Sequence, residues 1–247
     1  MNNEKSGRTW AVPERPWAMR MVWHDLLFAN WPVNAEVLRP LIPPALEVDT
    51  FDGEAWISIV PFRMTGVLPR GVPALPGLSA FAELNVRTYV SGEGKPGVWF
   101  LSLDAASRFA VWVARRAFYL PYFFAEMSAK EVDGAIEYTS GRLRRRDPQA
   151  LFAGSYRPTG EVFRSRAGTL EDWLTARYCL YAADGRRRVW RGEIDHAPWP
   201  LQRAELETVC NTMTAPYGVE LPRTQPVCYF SRRLDVVAWR LDAVGQM

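Results

Sequence analysis

Hydrophobic and polar residues alternate from Ala82 to Arg87, within a β-forming run that extends from Phe81 to Val90. Successive strand side chains point to opposite faces, so Ala82, Leu84, Val86, Thr88 and Val90 share a face that must pack on a core. Phe81, Glu83, Asn85, Arg87 and Tyr89 share the other. Comparable β-forming runs recur along the chain, punctuated by turn signals. Asp52-Gly53 precedes Ala55–Met64, and Ser91-Gly92-Glu93-Gly94 separates Phe81–Val90 from Gly97–Asp104. Asp133-Gly134 separates Tyr122–Val132 from Ala135–Arg145, and Asp184-Gly185 separates Arg177–Ala182 from Arg187–Ile194. Asp-Gly suits a type I′ turn, whose two central residues need positive φ, so these pairs predict hairpins and a mainly antiparallel sheet. Val227–Trp239 alternates well enough to add a further strand.

Helical spacing is rarer. Val33–Pro40 reads as a short helix ended by proline. Ala105–Tyr119 is the longest, with Ala106, Phe109, Ala110, Val113 and Ala117 as its apolar stripe and Arg108, Arg115 and Tyr119 on another side. Thr169 is placed to cap a third helix running to about Arg177. Gln202–Met213 reads as a fourth. Many hairpins and few helices predict a mainly β (α+β) fold, a closed or nearly closed barrel with peripheral helices, since closure removes exposed strand edges.

Composition narrows the class. At 247 residues, 48% hydrophobic with 11 Trp, the chain can bury one sizeable core, which excludes disorder. Residues 1–16 are polar with two prolines and read as a flexible arm. No repeat or linker follows, so 17–247 reads as a single domain. A formal net charge of +3 gives no case for nucleic acid. The 3 Cys lack CxxC spacing, which argues against a disulfide framework or a cysteine zinc site and favours a reducing compartment. No apolar run approaches membrane-spanning length, and no signal-peptide stretch opens the chain, so no membrane partner and a cytoplasmic location are expected. Without GxGxxG, P-loop or GxSxG, nucleotide and α/β-hydrolase readings lack support, and no cofactor is expected.

The chemistry-bearing candidates centre on the Phe81–Tyr89 face. One wet face is the norm in antiparallel sheets. Aromatics bracketing a carboxylate and a guanidinium instead suit a pocket wall, where apolar surface surrounds a few polar anchors. A buried Glu83 would have a raised pKa and act as acid or base, with Arg87 clamping a carboxylate. Asn85, Tyr122 and Arg142 complete the candidate ligand site, Tyr122 from a face shared with Phe124, Glu126 and Ser128, and Arg142 from one shared with Tyr138 and Ser140. A structural Glu–Arg network filling the barrel remains the alternative. His24 and His196, the only histidines, read as structural, and no metal site is placed. The arginine runs at 142–146 and 186–188 read as solvated turn and strand-end residues.

Several segments together resemble a known group: Trp23 to Pro32, Val48 to Trp56 with Pro61-Phe62, Glu83 to Val90, Gly97 to Ala105, Leu120 to Tyr122, and Thr175 to Tyr178. They are similar to the YqjF-like uncharacterised bacterial family, which carries domain of unknown function 2071, over about residues 17–240. That family resembles the acetoacetate decarboxylase superfamily, which implies an antiparallel barrel around a central cavity. The resemblance places Glu83 and Arg87 where that superfamily handles a small acid or carbonyl compound. The decarboxylase lysine of a Pro-Lys-Lys segment, which forms a Schiff base, has no counterpart in Leu120-Pro-Tyr122-Phe123. The expectation is therefore a barrel binding a small carboxylate or carbonyl metabolite, with acid–base catalysis left open and Schiff-base decarboxylation absent. A non-catalytic ligand-binding protein and a structural homo-oligomer subunit are the alternatives.

Overall fold

The computed structural model describes residues 7–71, 80–144 and 147–244. The first part of the chain forms β1 (Met19–Val33), α1 (Ala35–Leu38), β2 (Glu47–Val48), β3 (Ala55–Pro69), β4 (Phe81–Gly92) and β5 (Lys95–Ala105). Then come α2 (Arg108–Ala117), β6 (Tyr122–Phe124), β7 (Glu126–Val132), β8 (Ala135–Gly141), β9 (Leu151–Phe163) and α3 (Leu170–Thr175). The last part supplies β10 (Cys179–Ala183), β11 (Val189–His196), β12 (Leu201–Asn211), β13 (Val227–Ala238) and β14 (Asp242–Val244).

Seven strands follow one another in the order β1, β3, β4, β5, β10, β11, β13, and β13 pairs back onto β1. The closing contact is Ile194↔Ala238, Asp195↔Val237 and His196↔Val236. From β13 the sheet also continues through β12, β9, β8 and β7, and this extension folds over the outer face of the ring. Alternation sorts side chains between the two spaces. Phe28, Val60, Phe62 and Tyr89 point into the ring interior. Leu27, Ile57, Ile59, Leu84 and Val86 point outward, with Phe230 of β13, to meet Ile136, Tyr138 and Phe152 of the covering strands.

The Asp-Gly turns behave as their chemistry requires. Asp52 and Gly53 lie at φ 51° and 82°, and Asp133 and Gly134 at 49° and 78°. Glu93 and Gly94 do the same at 51° and 73°. Asp184-Gly185 differs: there Arg187 takes the positive φ of 63°, while Asp184 Oδ1 accepts from the Arg186 and Arg188 amides. The side chain of Asp184 organises that loop, so a glycine is not needed at the left-handed position.

Four expectations need correction. Gln202–Met213 is not helical; β12 pairs along its length with β9 and also touches β13. Its helix-forming Ala204-Glu205-Leu206-Glu207 yields to backbone pairing and to burial of Leu201 and Leu206. The run Tyr122–Val132 is broken at Ala125, so β6 stays on the ring beside β5 while β7 leaves for the outer sheet. The buried stripe of α2 is rotated: Val111, Ala114 and Phe118 pack on β5 and β6, whereas Ala106 and Ala117 are exposed. Residues 7–16 of the arm lack regular structure but are tied down, since Arg8 pairs with Glu193 and Trp239 Nε1 donates to the Arg15 carbonyl at 2.8 Å.

The contact between β5 and β10 is parallel, through Leu180↔Val98 and Tyr181↔Trp99. Gly97 sits at this seam, where a Cβ would fall 2.6 Å from the Cys179 carbonyl oxygen and 2.9 Å from the Tyr181 ring. Gly97→Ala is therefore expected to lower stability by about 1–3 kcal/mol in denaturant melts, because the neighbouring backbone cannot yield like a flexible side chain. A melt indistinguishable from the wild type would show that the seam is looser than this spacing.

Candidate functional site

The ring interior is not filled by side chains. A cavity of about 340 Å³ remains, and Phe81, Glu83, Asn85 and Arg87 of β4 all line it. The flanking walls come from Phe28 of β1, Val60 and Phe62 of β3, and Phe100 and Leu103 of β5. The last two reach the same space because β5 carries a bulge: Val86 pairs with Ser102, but Arg87 pairs with Phe100. The extra residue, Leu101, switches the inward parity of the strand. Residues of α2, among them Ala110 and Val113, cover one side.

Glu83 lies 3% exposed at one pole of the cavity. Tyr122 Oη donates to its Oε2 at 2.8 Å. Burial pushes the Glu83 carboxyl up to about 8, against the Tyr122 bond, which lowers it, and with the Asp104 charge, which raises it. Burial with the adjacent Glu83 charge likewise holds the Tyr122 phenol protonated far above its ordinary range. Asn85, two residues on, is buried with no partner for Oδ1.

Arg87 defines the other pole. Its Nη2 donates to the Leu174 carbonyl at the end of α3, at 3.1 Å, and its Nε is buried without a partner. The guanidinium lies 5.2 Å from the Phe28 ring and 5.6 Å from that of Tyr89. Among the described residues no carboxylate pairs with it. A buried network fixes this end: Ser58 Oγ donates to Asn30 Oδ1 at 2.6 Å, and Tyr89 Oη donates to the Leu174 carbonyl at 3.1 Å.

Arg142 is placed elsewhere. It is fully buried, not solvated, and its Nε donates to Asp104 Oδ1 at 2.8 Å. Both residues lie between the ring and the outer sheet, because Asp104 pairs opposite Leu84 on the outward face of β4. Ser140 Oγ adds a bond to Asp104 at 3.2 Å. The structure thus brings together Glu83, Asn85, Arg87 and Tyr122, and holds Arg142 behind the wall. The run Arg186–Arg188 is exposed.

Other cavity residues carried weaker sequence signals. Arg177 lines it with its Nη2 buried and unpartnered, and its Nη1 pairs with Asp49. Trp199 enters from the His196-Ala-Pro-Trp loop, stacked on Trp23 at 5.7 Å, and donates to the Thr175 carbonyl at 2.8 Å. Neither position belongs to an alternating run, so face arguments cannot find them. His196 stacks on Tyr178 at 4.6 Å, and burial lowers it to about 4. His24 bonds Thr65 at 2.7 Å. Among the described residues no cluster of three His, Cys, Asp or Glu is placed to hold a metal ion. No helix among them is long and apolar enough to cross a membrane.

The raised Glu83 value has a thermodynamic consequence. Between its ordinary value of 4.5 and about 8, the folded state keeps a proton that the unfolded state has lost. Stability is therefore lost as pH rises through that window. Glu83→Gln removes the loss, so its stability relative to the wild type should climb from pH 5 to pH 8 and level above. Tyr122→Phe removes the bond that favours the carboxylate and should move the levelling point upward. Denaturant melts across pH 5–9 read both effects; parallel curves for all three proteins would show that Glu83 ionises as if in water.

Known proteins provide a separate comparison. A family model for DUF2071, described as an uncharacterized conserved protein, matches residues 20–235. The uncharacterized protein YqjF of Bacillus subtilis is 45% identical over 231 residues, covering 94% of each chain. The enduracididine biosynthesis enzyme MppR complexed with pyruvate shares the fold, with a TM-score of 0.66 at 13% identity over 94% of this chain and 92% of the other. So does the acetoacetate decarboxylase of Legionella pneumophila, with a TM-score of 0.64 at 10% identity over 99% and 98%.

Proposed function

The chain belongs to the DUF2071 family of uncharacterized conserved proteins, and on that premise we propose that its cavity binds a small carboxylate or carbonyl metabolite and moves a proton on it through Glu83. The observation that carries this reading is one apolar cavity with two unlike poles: a carboxyl brought to about 8, and a guanidinium that no carboxylate neutralises. A group titrating near neutral pH can both take and return a proton. Arg87 clamps the ligand's carboxylate through paired hydrogen bonds. Tyr122 orients Glu83, and Asn85 offers a second polar contact. Arg142 supports the wall from behind through Asp104. A protein of the same fold holds pyruvate, which makes a keto acid the first ligand to try.

Imine chemistry does not fit this wall. Among the described lining residues there is no lysine, and Lys95 is engaged at 2.7 Å by Glu193. Borohydride added with a keto acid should leave no adduct on the protein; a labelled Lys95 or Lys130 would overturn this.

Exchange of the α-protons of a keto acid in heavy water, followed by NMR, tests the proton transfer. The wild type should exchange them, and Glu83→Gln should be slower by about 100-fold or more with its fold intact. Arg87→Met should raise KM more than it lowers kcat, since it removes binding common to substrate and transition state. Binding without exchange would favour a non-catalytic ligand-binding protein. The feature that speaks for this second reading is the unreactive wall: even its one thiol, Cys179, is pushed up to about 11 by burial.

A further inference from the structure

We propose that the cavity selects monocarboxylic acids with an extended apolar body, the carboxylate held at Arg87 and the far end lying toward Glu83. The inference rests on the acid-binding reading above and narrows its ligand class.

Length comes from the strand that carries both poles. Arg87 lies four residue steps along β4 from Glu83, so their Cα atoms stand about 13 Å apart at about 3.3 Å per residue. A three-carbon acid held at Arg87 leaves most of that span empty. Volume agrees: about 340 Å³ is roughly the liquid share of eleven water molecules, far more than such an acid fills. Apart from Asn85, the wall between the poles is Phe28, Val60, Phe62, Phe100 and Leu103, whose side chains offer no hydrogen bonds. Water there gains little, and methylene or ring carbons gain their full transfer energy. Phe109, half-exposed on α2 and also lining the cavity, places the mouth under that helix.

Charge sets the number of carboxylates at one. Among the described residues Arg87 has no carboxylate partner, whereas Arg177 already holds Asp49. At the far pole a second ligand carboxylate would meet Glu83, whose bound proton offers a neutral partner at best. An uncharged hydroxyl, carbonyl or ring edge suits that end.

Calorimetric titration with acetate, butanoate, hexanoate and octanoate, together with pyruvate, octanedioate and 1-octanol, tests the proposal. Kd should fall about fourfold per added methylene, the equivalent of about 0.8 kcal/mol, until the cavity is full. Octanoate should outbind 1-octanol and octanedioate at least tenfold. Arg87→Met should erase the gap between octanoate and 1-octanol while keeping the chain-length slope. Val60→Phe, which narrows the cavity, should stop the gain at a shorter acid while keeping the gap, and it decides the matter even if the Arg87 variant fails to fold. Pyruvate or acetate binding as tightly as octanoate would overturn the extended-body proposal and leave the acid-binding reading standing. If none of the acids binds, both fall.

Discussion

Everything in this molecule depends on three residue pairs, Ile194↔Ala238, Asp195↔Val237 and His196↔Val236, which join β11 to β13 and close the ring. Without them the inward faces of seven strands would form one side of an open sheet, and Glu83 and Arg87 would be wet. Closure also imposes a parity rule. A ring in which every neighbour runs antiparallel needs an even number of strands; seven require at least one parallel pair. The structure meets the rule once, at β5 and β10. Parallel neighbours need a long crossover, and here it runs from α2 to α3. That excursion supplies α2 over the cavity, Tyr122 beside Glu83, and Leu174 beneath Arg87. The odd strand number and the make-up of the site are thus one fact.

Inside the closed ring, partners decide which carboxylate keeps its charge. Burial pushes Glu83 and Glu193 in the same direction. Glu193 faces Lys95, Trp10 and Arg8, which outweigh burial and bring it down to about 2. Glu83 faces a single neutral donor, Tyr122, and rises to about 8. Arg87 does not reverse this. Burial is the largest cause of the Glu83 rise, ahead of the opposing Tyr122 bond and the Asp104 charge. Two acids line one cavity with opposite protonation, the pattern that separates a proton-transfer group from a structural ion.

The sequence exposed this arrangement where local rules act and hid it where they do not. Alternation along Phe81–Tyr89 places five residues on one face, and the structure puts four of them, Phe81, Glu83, Asn85 and Arg87, on the cavity wall. Asp-Gly chemistry located the turns at 52–53 and 133–134 because positive φ is a property of those residues themselves. Arg142 shared a face with Tyr138 and Ser140, as expected, but alternation cannot say which of two cores a face meets. Since β8 covers the ring from outside, that face meets Asp104. β12 was misread because its composition favours helix, and only pairing with β9, some forty residues earlier, makes it a strand. Arg177 and Trp199 come from irregular segments whose direction is set by tertiary packing alone.

The same fold can therefore carry different chemistry according to where one amine falls. Schiff-base formation needs a neutral lysine facing the substrate inside a dry wall. Here Lys95 begins β5 at the rim, partly exposed, with its ammonium bonded to the ionised Glu193 and stacked 5.6 Å from Trp10. Both contacts hold the amine on protein groups at the rim. Moving an amine to the cavity wall would bury it beside Arg87 and Arg177, where desolvation and like charge would both neutralise it. Placing the cations of the wall on arginine, which stays protonated, keeps anion binding and removes the nucleophile. In the proton-transfer reading proposed above, what is left to react is the proton on Glu83.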